Sequence, residues 1–228
     1  MPSVHRPVTM AIEVQPLTVD DIPRMLALQP RDGQLTTPAV DACMPADTAE
    51  LAVQRNEWSV LQQLDILEND STARQIKAVD TATGEILAVA RWHRYTDGYA
   101  PTDLEYAGCK PKASTSSYPP GFSIDVYLGM LEALFDARRG WTGRGALWFL
   151  TTLKTREAHR GRGAGSQLLE WGLERARTEG LPAYLEAAPT GVRLYERHGF
   201  RVIGPLTINL KERGIEFGYT LQRMVAMP

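Results

Sequence analysis

The sequence predicts one α+β domain built around a mixed sheet. Segments with period-two alternation dominate the order, helical segments are inserted among them, and no linker is long or polar enough to separate a second domain. The composition agrees, since 228 residues at 43% hydrophobic and 23% charged have the balance of an ordinary globular unit able to bury a core. Residues 1–228 therefore read as a single domain.

Residues 12–17 alternate like a strand, and Val19-Asp20-Asp21-Ile22-Pro23 puts acids and a proline in the first turn of a short helix. Residues 49–69 carry Val53, Val60, Leu61, Leu64 and Leu67 at helical spacing. Residues 75–79 and 85–92 flank Ala82-Thr83-Gly84, a hairpin signal. Prolines, glycines and a Ser/Thr cluster at 114–117 remove all periodicity from residues 96–122, which form a long loop insertion. A helix capped at Ser123 or Asp125 reaches Arg138 with Val126, Met130, Leu131, Leu134 and Phe135 as its stripe, and residues 140–145 turn the chain. Residues 146–153 are apolar almost throughout, as in a strand buried on both faces. Residues 165–179 form an amphipathic helix stopped by Gly180 and Pro182. Residues 183–187 are a strand, and a short helix through Val192 and Tyr195 ends at His198-Gly199-Phe200. Residues 201–208 and 214–221 close the chain as an antiparallel pair.

Charge excludes some function classes. With 25 basic and 27 acidic residues the net charge is −2, which argues against nucleic acid or an anionic membrane as the main partner. Cys43 and Cys109 are too few for a disulfide scaffold or a cysteine-rich zinc site, no histidine pair has metal-ligand spacing, and no metal is expected. No apolar run approaches the ~20 residues of a membrane helix, and the first twenty residues lack the apolar stretch of a signal peptide. A soluble, cytoplasmic protein is the expectation.

The strongest local feature is His159-Arg160-Gly161-Arg162-Gly163-Ala164-Gly165-Ser166, between the apolar strand and the amphipathic helix. Its glycines let backbone approach a ligand, and the helix start offers free N–H groups and a partial positive charge. Lys154, Arg156, Arg160 and Arg162 against Glu157 concentrate cationic charge there. A Walker loop would need a Lys-Ser/Thr pair after its last glycine, where Ala164-Gly165-Ser166-Gln167 follow, and a dinucleotide fingerprint would need glycine at Ser166. Spacing alone leaves two readings, an anion cradle or a flexible strand-to-helix turn.

Arg160-x-x-Gly163-x-Gly165 resembles the pyrophosphate-binding signature of the GNAT acetyltransferase superfamily, and Leu194-Tyr195-Glu196-Arg197-His198-Gly199-Phe200 resembles that family's Leu-Tyr-x-x-x-Gly-Phe segment at a fitting separation. The resemblance implies a mixed, mostly antiparallel, bent sheet with flanking helices and a V-shaped splay between two central parallel strands, where acetyl-CoA binds. It implies that Leu153 and Thr155 serve the pantetheine arm and that Arg160, Gly161, Arg162, Gly163, Ala164, Gly165 and Ser166 wrap the pyrophosphate. It implies Tyr195 as general acid, a phenol able to protonate a departing thiolate. Glu186 resembles a fifth-strand glutamate that serves as base in some members, with Glu157 or a water chain as the alternative.

His159 is expected to be solvated or an auxiliary phosphate contact, His198 to serve a helix C-terminus, and His93 to face either the acceptor cleft or solvent. Trp148 and Trp171 read as core. The 96–122 loop, with Tyr99, Tyr106, Tyr118 and Phe122, is a candidate lid for the acceptor. The expected activity is acetyl-CoA-dependent N-acetylation of a primary amine, of a small molecule, by direct attack in a ternary complex. The alternatives are protein or peptide N-acetylation and a non-catalytic acyl-CoA-binding regulatory domain. A homodimer is left open.

Overall fold

A seven-stranded sheet orders the chain as β1-β2-β3-β4-β5-β7-β6 in the computed structural model, which describes residues 11–26, 43, 48–99, 118, 121–139, 145–211 and 216–228. The strands are β1 Ile12–Pro16, β2 Ala73–Asp80, β3 Ile86–Tyr95, β4 Leu147–Thr155, β5 Ala183–Ala187, β6 Arg201–Asn209 and β7 Gly218–Ala226. The described helices are α1 Ile22–Leu26, α2 Ala49–Asn69, α3 Ile124–Arg138, α4 Ala164–Glu179 and α5 Val192–Arg197. Every strand pair is antiparallel except β4–β5, which is parallel.

The two faces of the sheet are covered by different helices. On one, Leu168, Leu169, Leu173 and Ala176 of α4 pack on Ile76, Ala78, Ala90, Trp92, Trp148, Leu150 and Leu185. The approach is close enough that a Cβ on Gly172 would lie 2.1 Å from Trp92, whose indole N–H donates to the Leu168 carbonyl at 3.2 Å. On the other face Phe135 of α3 meets Tyr95, Leu147, Phe149 and Tyr184, and Val126 and Met130 meet Leu206 and Ile208. Both Trp148 and Phe149 are thus buried although they point to opposite faces, as predicted for the first half of β4.

The β4–β5 junction positions the site. Parallel pairing lasts only from Trp148↔Ala183 to Leu150↔Leu185, while β4 continues to Thr155 against β3 alone. The register slips where the strands part, for Arg91 pairs with Thr152 and Trp92 with Leu150, so Thr151 is the extra residue of a bulge. A bulge increases local twist and re-aims backbone groups, a physical cause for the divergence.

Three expectations change in detail. The stripe of α2 is only partly covered, since Val53 and Leu61 are 56% and 46% exposed. The last strand is Gly218–Ala226, not residues 214–221, and β7 lies between β5 and β6 although it still pairs with β6. Of the 96–122 loop aromatics, Tyr99 is buried among Tyr95, Phe135 and Phe149, and Tyr118 stacks on Phe122 with ring centroids 4.4 Å apart, beside Trp58 and Tyr127. These rings are core and helix packing, whereas Tyr106, Cys109 and the cluster at 114–117 lie outside the described residues, as do residues 140–144 of the expected turn.

Candidate active site

Beyond Thr155 the chain makes a short 3-10 turn over Glu157–His159 and enters the glycine loop. Gly161 and Gly163 have φ of +75° and +91°, conformations that other residues reach only with strain, and a Cβ at either would meet nothing within 4 Å. Gly163 is the N-cap of α4 with no side chain capping it, and the first intrahelical bond runs from the Gln167 N–H to the Gly163 carbonyl at 3.0 Å. The N–H groups of Ala164, Gly165 and Ser166 come before that bond and have no partner within the helix, the arrangement that receives an anion at a helix start. Gly165 is needed for another reason: a Cβ there would stand 3.0 Å from the Thr155 hydroxyl, so the loop closes directly onto the end of β4.

The cations divide by role. Arg156 pairs with Glu85 in the β2–β3 turn, and His159 Nε2 lies 3.3 Å from the same carboxylate, so both pin the loop to the sheet. Arg160 and Arg162 are exposed and have no carboxylate partner among the described residues. Two free guanidinium groups, unfilled N–H donors and an open cradle fit a pyrophosphate of one coenzyme.

Tyr195 stands on α5 and packs with Leu153 and Leu194 against the core cluster that holds Ala164 and Leu168, which brings it to the same side of the fork as the glycine loop. Its ring meets Phe200 edge-on at 6.0 Å, and its carbonyl accepts from the N–H groups of His198 and Phe200 as the helix ends at Gly199, φ +89°. Burial pushes its phenol up to about 12, which keeps the proton on the oxygen at neutral pH. His198 turns its Nδ1 to Glu170 of α4, 3.3 Å away.

Residues 121–200 match the family model described as the Acetyltransferase (GNAT) family, a span containing both the Arg160–Gly165 and the Leu194–Phe200 motifs. Solved structures of similar shape cover nearly the whole chain. A Corynebacterium glutamicum structure of a histone acetyltransferase HPA2 and related acetyltransferase is 23% identical, with 96% of this chain and 97% of that one covered and a TM-score of 0.59. The Drosophila melanogaster polyamine N-acetyltransferase, which forms N-acetylagmatine, is 16% identical over 96% and 100% with a TM-score of 0.59. Arabidopsis thaliana NAA60 in complex with acetyl-CoA is 14% identical over 95% and 98% with a TM-score of 0.53. The chain has the GNAT acetyltransferase fold.

In this fold the two residues expected to handle protons are held on opposite sides of the sheet. Glu186 is on β5 but faces α3, not Tyr195, and is 6% exposed. Arg138 Nε and Nη2 donate to its two oxygens at 2.8 and 2.7 Å, and the Tyr184 hydroxyl donates to Oε1 at 3.1 Å. Three of about four acceptor positions are used, which leaves little capacity for the base role expected of Glu186. Sequence reasoning did not single out Arg138 as the partner of Glu186. Its one signal was a cation in the last turn of an otherwise apolar helix, which also has the simpler explanation of a favourable helix-end charge.

A second polar group occupies the same face. Arg91 donates to Gln63 of α2 at 2.5 Å, and its Nε is buried without a hydrogen bond among the described residues. His93 is buried, with Nδ1 2.9 Å from the Thr72 hydroxyl and 3.5 Å from Asp70. Burial, helped by Arg91, pushes its imidazole down to about 4, so it is neutral at physiological pH and faces neither solvent nor a free cleft. Among the described residues no helix is long and apolar enough to cross a membrane, and no cluster of three or more metal-ligating side chains is found.

Proposed function

We propose that the protein is an acetyl-CoA-dependent N-acetyltransferase that acetylates a primary amine of a small molecule by direct attack in a ternary complex. The observation that carries this reading is the convergence of an uncapped helix start, two free arginines and Tyr195 on the fork that opens at Thr151. Acetyl-CoA would supply the acyl group. Ala164, Gly165 and Ser166 would donate N–H groups to its pyrophosphate, with Arg160 and Arg162 alongside and Gly161 and Gly163 giving room. Leu153 and Thr155, on the part of β4 without a β5 neighbour, would hold the pantetheine arm through backbone groups. A backbone N–H near Leu153 would stabilise the charge developing on the carbonyl oxygen.

The neutral acceptor nitrogen forms the new C–N bond as the C–S bond breaks, Tyr195 Oη gives its proton to the departing sulfur, and the proton shed by the new amide nitrogen restores the Tyr195 phenol by way of solvent. The ammonium form of the acceptor must lose a proton first, to a water chain or to the exposed Glu157. A small acceptor is favoured because the sequence carries no acidic groove or histone-directed module for a protein substrate. Cytoplasmic residence accompanies this reading.

The test is release of free thiol from acetyl-CoA against amines, polyamines, amino acids, aminoglycosides and peptides. Release with small amines is expected. Turnover with peptides alone would move the assignment to a protein or peptide acetyltransferase, and tight coenzyme binding without release from any acceptor would identify a non-catalytic regulatory domain.

A further inference from the structure

We propose that Arg138 and Glu186 form a positioning pair that holds open the β4–β5 fork, with Glu186 orienting the guanidinium and not accepting the substrate proton. The inference rests on the acetyltransferase reading for its kinetic consequence but on the geometry alone for its structural one. Arg138 is the last residue of α3, and its side chain reaches both strands of the fork at their point of separation. On β5 it holds Glu186 bidentately, one residue beyond Leu185, the last position paired with β4. On β4 its guanidinium lies 4.9 Å from the centroid of Phe149, next to Leu150 and two residues before the bulge at Thr151. Tyr99 completes the seat, with its ring 5.3 Å from the guanidinium carbon and its hydroxyl accepting from Nη1 at 3.2 Å.

Each contact restricts a different motion. The planar fork fixes the carboxylate in direction as well as distance, the stacked rings fix the plane of the guanidinium, and Tyr184 braces Glu186 from its own strand. With the two side chains 11% and 6% exposed, solvent does little to screen the pair. Removing either partner takes away the bidentate ion pair from a buried charge, so the strands would shift to hydrate it. The backbone donors beyond Thr151 would move with them. The start of α4, held on the other face by its packing in the main core cluster, would move less.

The experiment combines kinetics with amide exchange in the full chain. Arg138→Ala is expected to lower kcat about 10²-fold, the scale of an ångström-sized misplacement, with KM for acetyl-CoA rising by a smaller factor because the pyrophosphate contacts at the start of α4 are kept. Guanidinium added at millimolar concentration is expected to restore activity at least tenfold by refilling the seat. Glu186→Gln, which keeps shape and one acceptor, is expected to keep the acid limb of the pH–rate profile at its wild-type position. Exchange at Thr152 and Ala187 should speed up in Arg138→Ala and slow again with guanidinium, a readout needing no turnover. Should Arg138→Ala not fold, Arg138→Lys carries the test, with the charge kept and the fork lost, and the same losses without rescue are expected. Loss of the acid limb in Glu186→Gln, or unchanged exchange and kcat in the arginine variants, would overturn the proposal. Absence of turnover in the unmutated protein would defeat the acetyltransferase reading alone, and amide exchange would still decide the pair.

Discussion

Gly191 stands against the ring of Tyr195, so that a Cβ on the glycine would lie 3.1 Å from the ring's Cε2. The contact is tight but not impossible, and the ring would have to give by a few tenths of an ångström. On the proposed mechanism that displaces the phenol from the sulfur it protonates. Gly191→Ala is therefore expected to lower kcat about tenfold, leave coenzyme affinity unchanged and change thermal stability little. An unchanged kcat would show that the ring is free to adjust or that its position does not matter.

Tyr195→Phe keeps the ring and its contact with Phe200 but removes the proton. A fall in kcat of about 10²-fold is expected, within the range of a single acid or base, with acetyl-CoA binding by calorimetry unaltered. The wild-type pH–rate profile should also show no alkaline limb from this phenol below about pH 11, because burial raises it to about 12. A limb near pH 10 that vanishes in the variant would indicate a solvated tyrosine instead.

Gly163→Val places a branched side chain in a backbone conformation, φ +91°, that L-residues rarely adopt, and aims it into the open cradle. Binding of coenzyme A should fall at least 10²-fold while the circular dichroism of the folded chain persists. Binding at wild-type strength would remove the helix start from the coenzyme site.

These predictions use residues that local sequence made legible and residues that it did not. The glycine-rich turn between β4 and α4 and the short helix bearing Tyr195 could be placed because their signals are local, and the bounds of α2 coincide with its apolar period, while the roles given to these residues came from the resemblance alone. The final strand was shifted because its buried anchors are Met224 and Ala226, residue types with little strand signal. Glu186 could be placed on a strand, but its partner stands 48 residues away at the end of a helix, and the side it faces depends on how α3 docks. The same holds for Gly172, an unremarkable helical glycine until Trp92 from β3 is laid across it.

His93 supplies a prediction on stability and pH. Its imidazole is pushed down to about 4 by burial first and by the neighbouring Arg91, with Arg138 and Arg74 adding to this and Asp70 opposing it. In the unfolded chain it should titrate near the ordinary 6.5, so between those values the unfolded state binds more protons than the folded one. Stability from this group is thus fully present above about pH 6.5 and is lost as the pH falls toward 4. Asp21 acts in a lower window: burial alone would raise its carboxyl, but hydrogen bonds from Lys77 and Thr18 outweigh this and hold it below the usual value, so its contribution is lost only at more acid pH. Urea unfolding at pH 7 and pH 5 should therefore show a loss on the order of 2 kcal/mol from His93. The His93→Gln variant should be less stable at pH 7 but lose less between the two pH values. Equal losses in both proteins would mean that His93 titrates alike in the folded and unfolded chains, and a smaller loss in the wild type would mean that it is protonated in the folded state and paired with Asp70.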